Sequence, residues 1–116
     1  MLKYLIYLLP LAALGYLLWS RRSAPSVGLK ALLDQGAQVV DVRTRAEFQS
    51  HAHPRCVNIP LDQLAARAGE LDRTRPVIVC CETGGRSGIA VSVLKRSGFS
   101  EVANLGSWRR LQSLLA

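Results

Sequence analysis

Six consecutive residues, Cys81-Glu82-Thr83-Gly84-Gly85-Arg86, place a thiol and a guanidinium at the two ends of a glycine-bearing turn. An apolar run, Val77-Ile78-Val79, leads into the turn, and Ile89, Val93 and Leu94 follow at the spacing of one helical face. The stretch therefore reads as a strand, a tight turn and a helix N-terminus. The first amides of a helix have no partner within it, and with the helix dipole they attract an anion. A cysteine held there ionises more readily, and thiolate is its reactive form. Gly84 and Gly85 allow the curl at little steric cost. Arg86 is placed to hold an anionic substrate bidentately beside the sulfur. The carboxylate of Glu82 is expected to weaken that anion capture, and Thr83 to hydrogen-bond the loop or the substrate. Cys80 continues the apolar run and reads as core packing, leaving Cys81 as the nucleophile.

The elements that must position this turn follow from periodicity and from start and stop signals. A helix is expected over Val27–Gln35, stopped by Gly36, and a buried strand over Ala37–Val42. Thr44 and Glu47 fit a capping box that opens a short helix to Ser50 and buries Phe48. His51–Pro60 reads as a turn and a brief extended segment at Val57–Ile59. Leu61–Leu71 reads as a helix with Leu64, Ala65, Ala68 and Leu71 inward. Pro76 opens the central strand, and the helix after Arg86 runs to about Ser97 before Gly98. A last strand is expected over Phe99–Asn104, then a helix over Trp108–Leu115 with Leu111, Leu114 and Leu115 apolar. Strands alternating with helices predict an α/β fold, a mainly parallel central sheet with helices on both faces. Ligands bind beyond the carboxyl ends of such strands, which puts Asp41, Arg43 and the Cys81 turn on one side. Arg43 is expected to pair with Glu47 or Asp41 and to fix the loops, so these three read as structural rather than catalytic. Trp108 reads as a lid or core residue.

At 116 residues the chain allows one such domain, over residues 23–116, preceded by a segment of different character over residues 1–22. Tyr4–Ser20 is uncharged and would span about 25 Å as a helix, short of a hydrocarbon core of about 30 Å but within reach if Lys3 and Arg21 snorkel. Tyr4, Tyr16 and Trp19 sit near its ends, as interfacial aromatics do. The stretch is long for a signal peptide, no A-x-A site closes it, and Arg21–Arg22 follow at once. A transmembrane helix is therefore expected, contacting the membrane through residues 2–20. Arg21, Arg22 and Lys30 after the span favour a cytoplasmic C-terminal domain over the reverse. The formal charge of +7 is mixed in sign beyond the anchor, so no nucleic-acid footprint is present. Cys56, Cys80 and Cys81 make neither a disulfide framework nor a C-x-x-C pair, which suits a reducing compartment. His51, His53 and Cys56 have a loosely metal-like spacing but read better as a surface turn, so no metal site is assigned.

Four ordered pieces resemble the rhodanese family: VVDVRTRAEF (Val39–Phe48), NIPL (Asn58–Leu61), VIVCCETGGRSGIA (Val77–Ala90) and GFSEVANL (Gly98–Leu105). Cys81, Gly84, Arg86 and Ser87 fall in register on the family's C-x-x-G-x-R-S loop. The resemblance implies a sulfurtransferase in which Cys81 accepts a sulfane sulfur from a small anionic donor such as thiosulfate. The persulfide then passes its sulfur to cyanide or a thiol, with residues 82–87 as the binding loop and no cofactor. Cysteine phosphatases carry five residues between Cys and Arg, whereas four, Glu82–Gly85, lie between them here. Phosphatase or arsenate reductase chemistry therefore ranks low, and the other alternative is a non-catalytic docking module at the membrane. The chain departs from the family where Ala52 replaces a usual histidine. It departs again where the closing glycine motif shortens to Gly106-Ser107-Trp108. Cys56 reads as packing, with a resolving role toward Cys81 left open.

Overall fold

The structure, a computed structural model, describes residues 10–15 and 26–115. The expected anchor over residues 1–22 lies outside them apart from 10–15. Among the described residues no helix is long and apolar enough to cross a membrane. From residue 26 the chain runs α1 (Ser26–Asp34), β1 (Gln38–Asp41), α2 (Arg45–Ser50), β2 (Val57–Asn58), α3 (Leu61–Arg67) with a 3₁₀ turn at Ala68–Glu70, β3 (Val77–Cys81), α4 (Gly85–Arg96), β4 (Val102–Ser107) and α5 (Arg110–Leu115).

All strand pairs are parallel, in the order β2-β1-β3-β4. β3 is central and wholly buried, as its β-branched run requires. Strand alternation divides it between two cores. Val77, Val79 and Cys81 pack with Val40, Ile59, Leu64, Ala90 and Leu94 beneath α3 and α4. Ile78 and Cys80 pack with Leu29, Leu33, Val39, Leu111 and Leu114 beneath α1 and α5. Each fully buried aliphatic side chain here contributes roughly 1.5–3 kcal/mol. The carboxyl ends of β1 and β3 lie side by side, with Val42 N–H donating to the Cys80 carbonyl at 2.9 Å. The Arg43 turn and the Cys81 turn therefore open onto one crevice.

The α/β architecture agrees with the sequence expectation, while several details differ. The helix expected to run to Leu71 tightens into 3₁₀ geometry at Ala68, and Ala65 faces solvent rather than the core. α4 buries Ala90, Val91 and Leu94, whereas Ile89 is 49% exposed. Phe48 is half-buried, Leu115 is exposed, and α5 starts at Arg110. β4 begins three residues later than expected and runs on to Ser107. Its ladder with β3 slips after Val79↔Asn104 to Cys80↔Gly106, leaving Leu105 as the extra residue of a bulge. The bulge brings Trp108 N–H within 3.0 Å of the Cys81 carbonyl and aims Asn104 at the turn.

Candidate active site

Cys81 is the last residue of β3 rather than the first of the turn, and it is only 1% exposed. Its sulfur still meets polar hydrogens. Gly84 N–H donates to Sγ at 3.0 Å and Ser87 N–H at 3.4 Å, and Ser87 Oγ lies 3.4 Å away. Burial alone would push the Cys81 thiol up. The Ser87 hydroxyl and the N–H groups of Ser87, Gly84 and Thr83 outweigh it and hold the thiol below its ordinary value. Gly84 makes the curl possible: it caps α4 in the left-handed region at φ 110°. Gly85 does not share that burden. It is the first residue of α4, and a Cβ there would meet nothing within 4 Å.

A buried polar layer braces the turn from below. Ser87 Oγ lies 2.6 Å from Asn104 Oδ1 and 3.1 Å from the Gly84 carbonyl. Asn104 Nδ2 donates to that carbonyl at 3.1 Å, and Gly106 N–H donates to Asn104 Oδ1 at 2.9 Å. The single Ser87 hydroxyl hydrogen is contested by Asn104, Gly84 and the sulfur, and Asn104 is nearest. The role of Asn104 was missed from sequence. The available signal was a lone amide between Ala103 and Leu105 in a strand, since a buried amide is costly unless bonded.

Three guanidinium groups surround the turn. Arg43 grips Asp41 through Nη2 at 2.8 Å and Nε at 3.0 Å, both residues being almost wholly buried. It also donates to the His51 carbonyl at 2.6 Å, tying β1 to the end of α2. Of the two partners expected for Arg43, Asp41 is the one it takes. Glu47 completes the expected capping box with Thr44 and binds Arg86 at 2.6 and 2.9 Å. The Arg86 hydrogen bonds, with help from Thr44, lower the Glu47 carboxyl to about 2. Arg86, expected to face the substrate, is thus committed to Glu47. Glu82 accepts from Arg109 and from Trp108 Nε1, with Arg43 Nη1 at 3.6 Å. Arg109 chiefly, and Trp108 next, hold its carboxyl below the usual range. The Arg43 and Arg109 guanidinium carbons each lie 4.7 Å from the Trp108 ring centroid, so Trp108 acts as a stacking post at the rim. Arg109 is twenty-seven residues from Glu82, and no local pattern announced it.

Thr83 is exposed at the tip of the turn. Cys56 packs in the core on the opposite face of the sheet from Cys81, with Cys80 in the same cluster, so it is not placed to resolve Cys81. His53 Nε2 lies 2.9 Å from Gln112 Oε1. Two clefts of about 390 and 290 Å³ open elsewhere, one lined by Arg45, Phe48, Gln63 and Arg67, the other by Val39, Arg55, Val57 and Leu71. Neither is lined by the 81–87 turn.

Comparison with known proteins identifies the family. The family model described as Rhodanese-like domain matches residues 27–113. The chain belongs to the rhodanese-like family. It is 36% identical over 78 residues to the thiosulfate sulfurtransferase GlpE of Pseudomonas savastanoi, covering 67% of this chain and 74% of that one. It is 39% identical over 69 residues to YqhL of Bacillus subtilis, covering 60% of this chain and 55% of that one. It is 32% identical over 88 residues to YrkF of the same organism, covering 72% and 48%. The chain thus spans about half the length of these two Bacillus relatives. The human single-domain sulfurtransferase TSTD1 shares the rhodanese-like fold, with a TM-score of 0.61 at 23% identity, covering 78% of this chain and 95% of that one.

Proposed function

We propose that this domain is a sulfurtransferase in which Cys81 carries a sulfane sulfur as a persulfide. The observation that carries the reading is the pair of backbone donors on Sγ, Gly84 N–H and Ser87 N–H, with the Ser87 hydroxyl 3.4 Å from the sulfur. These favour the thiolate and then the persulfide anion, and being fixed by the fold they need no rearrangement at the moment of reaction. The Cys81 thiolate attacks the outer sulfur of a donor such as thiosulfate. A bond forms between the two sulfurs, the donor's S–S bond breaks, and its electron pair leaves with sulfite. An acceptor thiolate or cyanide then attacks the outer sulfur of the persulfide, and Cys81 departs as thiolate. Relatives named thiosulfate sulfurtransferases support this donor class.

Intact-mass spectrometry tests the reading. Thiosulfate treatment is expected to add the mass of one sulfur, mapped to Cys81 and removed by cyanide. A chain that stays fully reduced with thiosulfate and with a thiosulfonate donor alike overturns it. For the N-terminal segment, the proposal is a single-pass anchor with the domain on the cytoplasmic side. It is supported by the uncharged Tyr4–Ser20 run and the arginines that follow it. A reporter fused to the C-terminus that is active only outside the cytoplasm would reverse the orientation.

A further inference from the structure

We infer that Glu82 sets which donors the Cys81 turn accepts, by balancing charge at its mouth against sulfane donors that carry a second negative charge. The inference rests on the sulfurtransferase reading and specifies its substrate class.

Glu82 directly follows the nucleophile, and its carboxylate is 38% exposed. It is held by Arg109, by Trp108 Nε1 at 3.3 Å and by Arg43 Nη1 at 3.6 Å. On the other flank Glu47 takes both terminal nitrogens of Arg86. Asp41 takes Arg43 from beneath. Each of the three guanidinium groups around the turn therefore already faces a carboxylate, and an incoming anion finds none of them as a ready counter-charge. What remains for it is the set of loop N–H groups, which are dipoles without net charge. They suit the one negative charge of a transferred sulfur. A second charge on the donor gains little from them, and Glu82 takes up the Arg109 charge that would otherwise meet it.

Thiosulfate carries two charges, whereas an alkanethiosulfonate such as methanethiosulfonate anion carries one and reacts in the same way. Cys81 bonds to its outer sulfur, the S–S bond breaks, and the electron pair leaves with a sulfinate. The favoured donors are thus monoanionic sulfane compounds, thiosulfonates and the persulfides of small thiols with one net charge.

The experiment measures kcat/KM of the full chain for thiosulfate and for methanethiosulfonate, with cyanide as common acceptor. Glu82→Gln is expected to raise the thiosulfate-to-thiosulfonate ratio about three- to tenfold at low ionic strength. Arg109→Gln leaves Glu82 less well balanced and is expected to lower the ratio about two- to threefold. Both shifts shrink as salt is raised. Arg109 is 59% exposed, so its variant is read even if Glu82→Gln fails to fold. A merely structural role for Glu82 would move both donors together. A ratio unchanged by either substitution, with the persulfide still forming, overturns the inference and leaves the sulfurtransferase reading in place. No persulfide from either donor in the unaltered chain overturns that reading instead.

Discussion

Cys80 and Cys81 are neighbours in the chain, yet they occupy opposite chemical worlds. The pleat of β3 sends Cys80 into the core beneath α1 and α5, with Cys56 in the same cluster. There its hydrogen bond with Cys56, and then burial, push the thiol far up. Cys81 points to the other face, is just as buried, and is held below its ordinary value. Neither side chain is exposed, so solvent exposure does not separate them. What differs is whether the sulfur sits where the strand ends and backbone amides lose their ladder partners.

The sharpest way to break this contrast is to exchange the roles. Cys81→Ser should abolish persulfide formation, read by intact mass. Cys80→Ser should retain it while losing about 1–3 kcal/mol in denaturant unfolding, because a hydroxyl enters an apolar core. Persulfide lost in both variants, or in Cys80→Ser alone, would mean that the face of the strand does not matter. A large effect on stability is expected at Arg43, whose removal leaves Asp41 buried without its partner. Arg43→Ala should cost about 3–5 kcal/mol. A cost below 1 kcal/mol would show that the Asp41–Arg43 pair does not brace the crevice.

Smaller in effect, and more specific, is the dependence on the cradle itself. The alkylation rate of Cys81 should rise with pH through a midpoint below the ordinary thiol value of about 8.5. Ser87→Ala should move that midpoint upward, since two of the bonds that favour the thiolate are made by Ser87 and its hydroxyl is then lost. An unmoved midpoint would assign the effect to the backbone N–H groups of Ser87, Gly84 and Thr83 alone. The smallest effect concerns Glu47. Its folded value of about 2 lies below that of a free carboxyl, about 4.3. The contribution of the Glu47–Arg86 pair is therefore complete above about pH 4.3 and lost as pH falls through about 2. Both groups are partly exposed, so the stability gap between the parent and Glu47→Gln should be modest at pH 7 and close in strong acid. A gap that persists undiminished well below pH 2 would contradict the pairing.

Much of this was legible in the sequence because it is local. The β-branched run before Cys81, the Thr44–Glu47 capping box and the glycine turn each rest on residues a few positions apart. They fixed β3, α2 and the placing of Cys81 where the strand meets the turn. What could not be read depends on partners brought together by the fold. Arg86 and Glu47 are thirty-nine residues apart, and nothing nearby says that the guanidinium faces a carboxylate rather than an incoming anion. The burial of α4 is set by how it packs on β3 and β4, with Ile89 outward and Ala90 and Val91 inward. The later start of β4 and its bulge arise from ladder geometry that periodicity does not carry. Asn104 owes its importance to that ladder.

A sulfur that is 1% exposed also acts as a gauge of width. With Cys81 almost wholly buried, a slender reagent such as cyanide is expected to reach it more readily than a broad electrophile. Iodoacetamide should therefore label Cys81 faster, relative to a free thiol, than a bulky aromatic maleimide does. By the same reasoning, a macromolecular acceptor for the proposed sulfur transfer would have to offer its thiol on a thin projecting end.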